Sequence, residues 1–284
     1  MNIIKQAWNY ILVCKVRETI LLTFIGMASF IVGADGHPEI GRMLFTTATV
    51  MVASAGANGM TNYLDRELDA KMERTKKRVF PTKRIDPPEK ALPWLIFLVV
   101  AGLVMAWFVH PYAFFADLIG STAAFVYRKR NTCVFPQGTI ASFAPVLIGW
   151  WGATDAINWQ IGIICLMIMF WLPLHVWTVM ISRRDEYLGA GCTFFPLKTD
   201  PKYAIYILFV CALSLIGLGF AYYFVVGAGL VFLISAIVLD LILLVACVVL
   251  KFHYSNSKAW KLYKMSSFPY LGILFMMMCI DLWV

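Results

Sequence analysis

Five oxygen-bearing side chains, Asn58, Thr61, Asn62, Asp65 and Asp69, follow one another at intervals of three, one, three and four residues. At about 3.6 residues per turn these intervals stack them on one face of a helix. Two carboxylates one turn apart, with amide oxygens above them, are hard ligands of the kind Mg2+ takes. That ion holds few protein carboxylates and completes its octahedron with water and substrate phosphates. Arg66, Lys71, Arg74 and Arg78 come next and offer fixed positive charge to a polyphosphate. The same charges could merely solvate a helix end through i, i+4 pairs. Asn58, Thr61 and Asn62, however, carry the polar face back into an apolar run, where unsatisfied polar groups are costly. The pattern favours a metal–diphosphate site.

The elements that must position this face are apolar. Of 284 residues, 61% are hydrophobic and only 14% charged, against about half and a quarter in soluble domains. A soluble globular fold, a disordered chain and a disulfide-stapled secreted fold are excluded. Apolar runs near the length of a bilayer crossing, about 17–25 residues, occur at 19–34, 43–64, 91–109, 111–127, 137–153, 159–180, 203–224, 229–250 and 266–283. The expectation is an all-α membrane protein with about nine transmembrane helices in a single bundle. The runs at 111–127 and 137–153 are short, which allows a tilted or broken span.

Basic residues sort by side. With this span count, 23 of the 24 Lys and Arg fall in alternate loops and only Arg42 lies opposite. The positive-inside rule then puts the N-terminus in the cytoplasm and the C-terminus outside. The cytoplasmic loops fall at about 65–90, 128–136, 181–202 and 251–265, and the whole of 1–284 reads as one transmembrane domain. Bases confined to short loops do not make a nucleic-acid surface, so no nucleic-acid partner is expected. The seven cysteines are scattered, with no C-x-x-C pair, and read as small apolar filler. No cleavable signal or transit pattern shows at Met1–Arg17, which favours a prokaryotic protein of the cell (inner) membrane.

The segment Asn62-x-x-Asp65-Arg66-x-x-Asp69-x-x-Met72-x-Arg74-Thr75-x-x-Arg78 resembles the first signature of the UbiA-type intramembrane prenyltransferases, and within them the heme O synthase branch. Further matches follow in order: Arg128-Lys129-Arg130-Asn-Thr132, Ala144-Pro145-Val-Leu-Ile-Gly149-Trp150, Trp171-x-Pro173-x-His175-x-Trp177, Asp185-Glu-Tyr187, and Ser266 through Asp281. The resemblance spans nearly the whole chain. It implies a farnesyl diphosphate donor held by Mg2+, a heme b acceptor, and a product carrying a hydroxyethylfarnesyl group. By the same resemblance Asp65, Asp69, Arg66 and Tyr187 are catalytic, and Asn58, Asn62, Asp65 and Asp69 hold the metal. The diphosphate would meet Arg66, Lys71, Arg74, Arg78, Arg128, Lys129, Arg130, Arg183 and Arg184. Heme A synthase or a terminal oxidase is a candidate partner in the bilayer. The chain departs from the superfamily at Thr61, where Asn is usual, and Asn58 one turn higher stands as the compensating oxygen.

His175 follows Pro173 and is flanked by Trp171 and Trp177. It reads either as a heme-side residue walled by the two tryptophans or as a histidine bonded to a carbonyl freed by a proline break. The resemblance favours the first. Asp117 and Asp240 lie within apolar runs, where carboxylates face the bundle interior or a water-filled cavity, and Asp240 reads as structurally paired. Two other functions compete: a prenyltransferase for a quinone precursor or chlorophyll-type ring, and a non-enzymatic heme or solute carrier. A carrier would place its charges at mid-membrane, whereas this constellation lies at a helix end.

Overall fold

A helix is the one open-chain way to satisfy every backbone group within an apolar run in lipid, and among the described residues the apolar runs fold as helices. The structure, a computed structural model, describes residues 3–126, 135 and 137–284. Among these, Val16–Gly33 (α2) follows a short helix Ile3–Val13 (α1), and Ile40–Leu64 (α3) is continued by Arg66–Lys71 (α4). Leu92–Val109 (α5), Pro111–Val126 (α6), Gln137–Ala153 (α7) and Trp159–Ser182 (α8) come next. A short helix Arg184–Gly189 (α9) precedes Pro201–Ala221 (α10) and Leu230–Phe252 (α11), and Asn256–Ser266 (α12) leads into Phe268–Asp281 (α13). Seven helical stretches among the described residues are long and apolar enough to cross a membrane. The 16-residue α6 and 17-residue α7 are the two runs expected to be short.

The long helices close into a ring. Each packs on the next in chain order, and α13 returns to α2, where the Cys279 Sγ–H donates to the Ala28 carbonyl and Trp283 Nε1–H to that of Gly36. Small residues set the spacing inside it. A Cβ at Gly102 would lie 2.7 Å from the Ala53 Cα, and one at Gly149 would collide with the Gly26 carbonyl. Backbones therefore touch where α5 meets α3 and α7 meets α2. The described cysteines are free thiols, mostly buried.

One expectation changes. Pro173 does not open its helix: α8 runs unbroken from Trp159 to Ser182. It is the most buried of the spans, and its packing against neighbouring helices supports the ladder across the proline. Asp281, whose role the sequence left obscure, is a helix cap, its carboxylate accepting from the Gly229 N–H at 2.5 Å and the Phe232 N–H at 3.0 Å at the start of α11. Asp281→Ala is expected to cost about 1–2 kcal/mol of stability, read as a lower thermal midpoint in detergent with the reaction otherwise intact.

Candidate active site

The acidic face sits where α3 ends. Asp65 is the hinge between α3 and α4, and Asp65 and Asp69 are buried at 7% and 0% exposure. Arg78 Nη1–H donates to Asp69 Oδ2 at 2.8 Å, and the Thr75 hydroxyl donates to the Asp69 carbonyl at 3.0 Å. The loop thus folds back over its own carboxylate. Asn62 donates from Nδ2 to the Val13 carbonyl at 3.0 Å, while its Oδ1 is buried with no hydrogen-bond partner among the described residues. Asn58 is one turn deeper, its Nδ2–H on the Thr19 hydroxyl at 3.1 Å.

The second signature folds against the first. The Arg74 backbone N–H donates to Glu186 Oε2 at 3.3 Å, and Arg183 Nη1–H donates to Glu186 Oε1 at 3.2 Å. Tyr187 is 2% exposed. Burial pushes its phenol up from the usual range, Arg74 opposes this, and the Cys192 thiol and the Asp69 carboxylate add to it. The ring therefore keeps its proton at neutral pH and stays a neutral hydrogen-bonding group beside the carboxylates.

Lys15, one of the basic residues that sequence reasoning read only as marking topology, reaches the acidic face. It joins α1 to α2 with a left-handed φ of 50°, a conformation that costs a non-glycine residue about 1–2 kcal/mol. That backbone directs its ammonium to the Thr61 hydroxyl at 2.9 Å. Thr61 thus receives a cation at the top of the acidic face. Glu186 was passed over too, and its link appears only when the two loops meet.

Other expected residues lie elsewhere. Arg66 stacks over the Tyr63 ring at 4.3 Å, donates to the Tyr63 carbonyl and leans to Glu89 at 4.0 Å. Lys71 is exposed, and the Arg184 Nε–H is spent on the Leu197 carbonyl at 2.7 Å. Arg128, Lys129 and Arg130 fall outside the described residues.

The His175 ring stacks on Trp171 at 5.0 Å and 18°, meets Tyr263 at 4.8 Å, and pairs through Nδ1 with the Ser267 hydroxyl at 3.3 Å. Trp177 turns to another face of α8, edge-on to Phe135 and Phe195. The second wall beside His175 is Tyr263, not Trp177.

Asp240 is paired as expected, accepting from the Tyr270 hydroxyl at 2.7 Å, and Asp117 accepts from the Ser121 hydroxyl at 3.1 Å.

Residues 20–268 match the model of the UbiA prenyltransferase family. The chain belongs to that family. It is 34% identical to the protoheme IX farnesyltransferase of Desulforudis audaxviator over 97% of this chain and 88% of the relative. Among solved structures, a digeranylgeranylglyceryl phosphate synthase superposes with a TM-score of 0.75 at 18% identity, covering 98% of each chain. A UbiA homolog from Archaeoglobus fulgidus bound to GPP and Mg2+ gives 0.66 at 13%, over 97% of this chain and all of that one. These likenesses establish the UbiA fold, and the family membership makes the chain a prenyltransferase.

Proposed function

We propose that the chain transfers a farnesyl group from farnesyl diphosphate to a vinyl group of heme b, giving heme O. The observation that carries the donor half is the meeting of the Asp65–Asp69 face with Arg74, Arg78 and Tyr187. The acceptor half rests on the likeness to the protoheme IX farnesyltransferase of Desulforudis audaxviator, which aligns over 97% of the chain.

Asn62, Asp65 and Asp69, with Asn58 above, would hold Mg2+. The Asn62 carbonyl oxygen fits the role, because a buried acceptor left bare costs about 1–3 kcal/mol and a cation removes that cost. Among the described residues no three His, Cys, Asp or Glu side chains form a metal cage, as suits an ion that takes much of its shell from diphosphate and water. When bound, Mg2+ supplies positive charge against the departing diphosphate.

The chain's own residues do the rest. Lys15, Arg74 and Arg78 put fixed charge beside the diphosphate oxygens as the C1–O bond of the donor breaks. Arg66, Lys71, Arg183 and Arg184 add to this charge field at longer range, and Arg128, Lys129 and Arg130 are assigned to the diphosphate from the sequence motif alone. Tyr187 faces the allylic cation with a neutral ring. His175, Trp171 and Tyr263 receive the porphyrin, and Trp177 supports them from behind. The bundle is one domain of nine spans in the cell membrane, N-terminus inside and C-terminus outside. A heme A synthase or terminal oxidase would consume the product.

His175→Ala is expected to weaken heme binding and heme O formation while farnesyl diphosphate affinity stays near normal. Heme titration by absorbance beside a diphosphate binding assay checks it, and an unchanged titration reduces His175 to a packing residue. The function itself is tested by expressing the chain in a host that makes no heme O. A new hydroxyethylfarnesyl heme in the extract supports the reading, and an unchanged heme pool contradicts it.

A further inference from the structure

A cavity of about 610 Å³ lies between the first turns of α10 and the end of α11. That volume falls within the range of pockets that hold small molecules, about 300–1,000 Å³. No residue assigned above to the diphosphate, the metal or the heme lines it. It belongs to the donor-site end of the bundle, because α8 ends just before Arg183 and Glu186, α10 starts from that end and α11 returns to it.

The wall of this cavity is graded. Lys202 and Tyr254 stand at its outer rim, and Tyr203 and Tyr206, three residues apart on one face of α10, bring hydroxyl donors above the buried Ile205. Lys251 is the decisive residue. Side chains on a helix lean toward its N-terminus, which for α11 means away from the donor-site end and into the span. The Lys251 ammonium accordingly lies 5.5 Å from the Phe209 ring, two turns inside α10, and 6.0 Å from that of Phe252. Among the described residues no carboxylate pairs with it. The one acid in the wall, Asp200, is already engaged: it caps α10 by accepting from the Lys202 N–H at 2.9 Å and meets the Lys202 ammonium at 3.3 Å. The positive charge of Lys251 is left over.

A lysine near a helix end ordinarily snorkels to water. One that turns into the span, held only by aromatic faces, is costly until an anion meets it. The anion native to that depth is the phosphodiester of a bilayer lipid. Its acyl chains find exposed apolar side chains along both helices, among them Val210 and Val249, and tyrosines suit the level of its headgroup. Basic pockets between spanning helices are known to take anionic headgroups. We propose that this cavity binds one anionic glycerophospholipid, with its phosphate on Lys251, its headgroup toward Lys202 and the tyrosines, and its chains along α10 and α11. Such a lipid ties the end of α11 to the start of α10 and so favours the folded bundle.

The test incubates the purified full chain in detergent with equal amounts of phosphatidylglycerol and phosphatidylcholine and weighs the intact complexes by native mass spectrometry. One phosphatidylglycerol per chain should be retained in preference to phosphatidylcholine. Lys202→Gln with Lys251→Gln should lower that retention by about tenfold or more, the loss expected when two lysines facing an anionic lipid are neutralised. Lys258→Gln with Lys261→Gln removes the same charge from α12, outside the cavity, and should leave retention unchanged, as should the charge-keeping Lys251→Arg. Phosphatidylglycerol should also raise the thermal midpoint of the wild type, because a ligand of the folded state stabilises it, and not that of the cavity variant. If the paired cavity variant does not fold, Lys251→Gln alone carries the test, and unchanged retention there overturns the site. Equal retention of the two lipids, or equal loss from the cavity and α12 variants, overturns it as well. A midpoint raised as much by inorganic phosphate as by phosphatidylglycerol makes the cavity a free-anion site and overturns the lipid assignment.

Discussion

Asp65→Asn and Asp69→Asn are each expected to abolish farnesyl transfer while the protein still accumulates in membranes and keeps its helical content. Losing one electrostatic stabiliser of a reacting group costs about 10²–10³ in rate, and here the lost charge also serves the metal. Asparagine preserves the shape of both side chains and, at position 69, an oxygen for the Arg78 guanidinium now at 2.8 Å. Folding should therefore suffer less than turnover. Transfer assays with saturating Mg2+, beside circular dichroism, separate the two effects. Near-normal turnover in both variants would remove the metal from the account.

Arg74→Gln is expected to weaken farnesyl diphosphate binding by about ten- to a hundredfold, in line with a charged hydrogen bond worth roughly 1.5–3 kcal/mol. Heme binding should change far less. Arg74 is the residue that joins the two signatures: its backbone bonds to Glu186 and its guanidinium lies beside the buried Tyr187. The Arg74 side chain also has a buried Nε with no partner among the described residues, a donor available to a diphosphate oxygen. Separate titrations with the two substrates check the prediction, and equal loss of both ligands would mean the variant has lost its fold.

The helices were legible because a bilayer crossing imposes a length that composition reveals. Each apolar run coincides with a helix, and the order of the family-like motifs matches the order in which the ring closes. The acidic face was legible because i, i+3 and i+4 spacing is local. Trp177 shows the same rule misapplied. Residues two apart on a helix do not share a face, so Trp171 stacks on His175 while Trp177 turns away. Pro173 misled for a different reason: a proline breaks an isolated helix, yet α8 is the most buried span and stays continuous. Lys15 and Glu186 were beyond reach because their partners are 46 and 112 residues away. Asp281 likewise reveals its cap only when α13 meets the start of α11.

The central claim is that this chain joins farnesyl to heme through a metal–diphosphate site at the end of α3. The most direct measurement incubates the purified protein with heme b and farnesyl diphosphate labelled in the isoprenoid, with Mg2+ or with a chelator. The label should enter the heme fraction in stoichiometric balance with released diphosphate, with Mg2+ only, and not in Asp65→Asn. Label that remains on farnesyl diphosphate under every condition, or transfers undiminished in the chelator, would contradict the account.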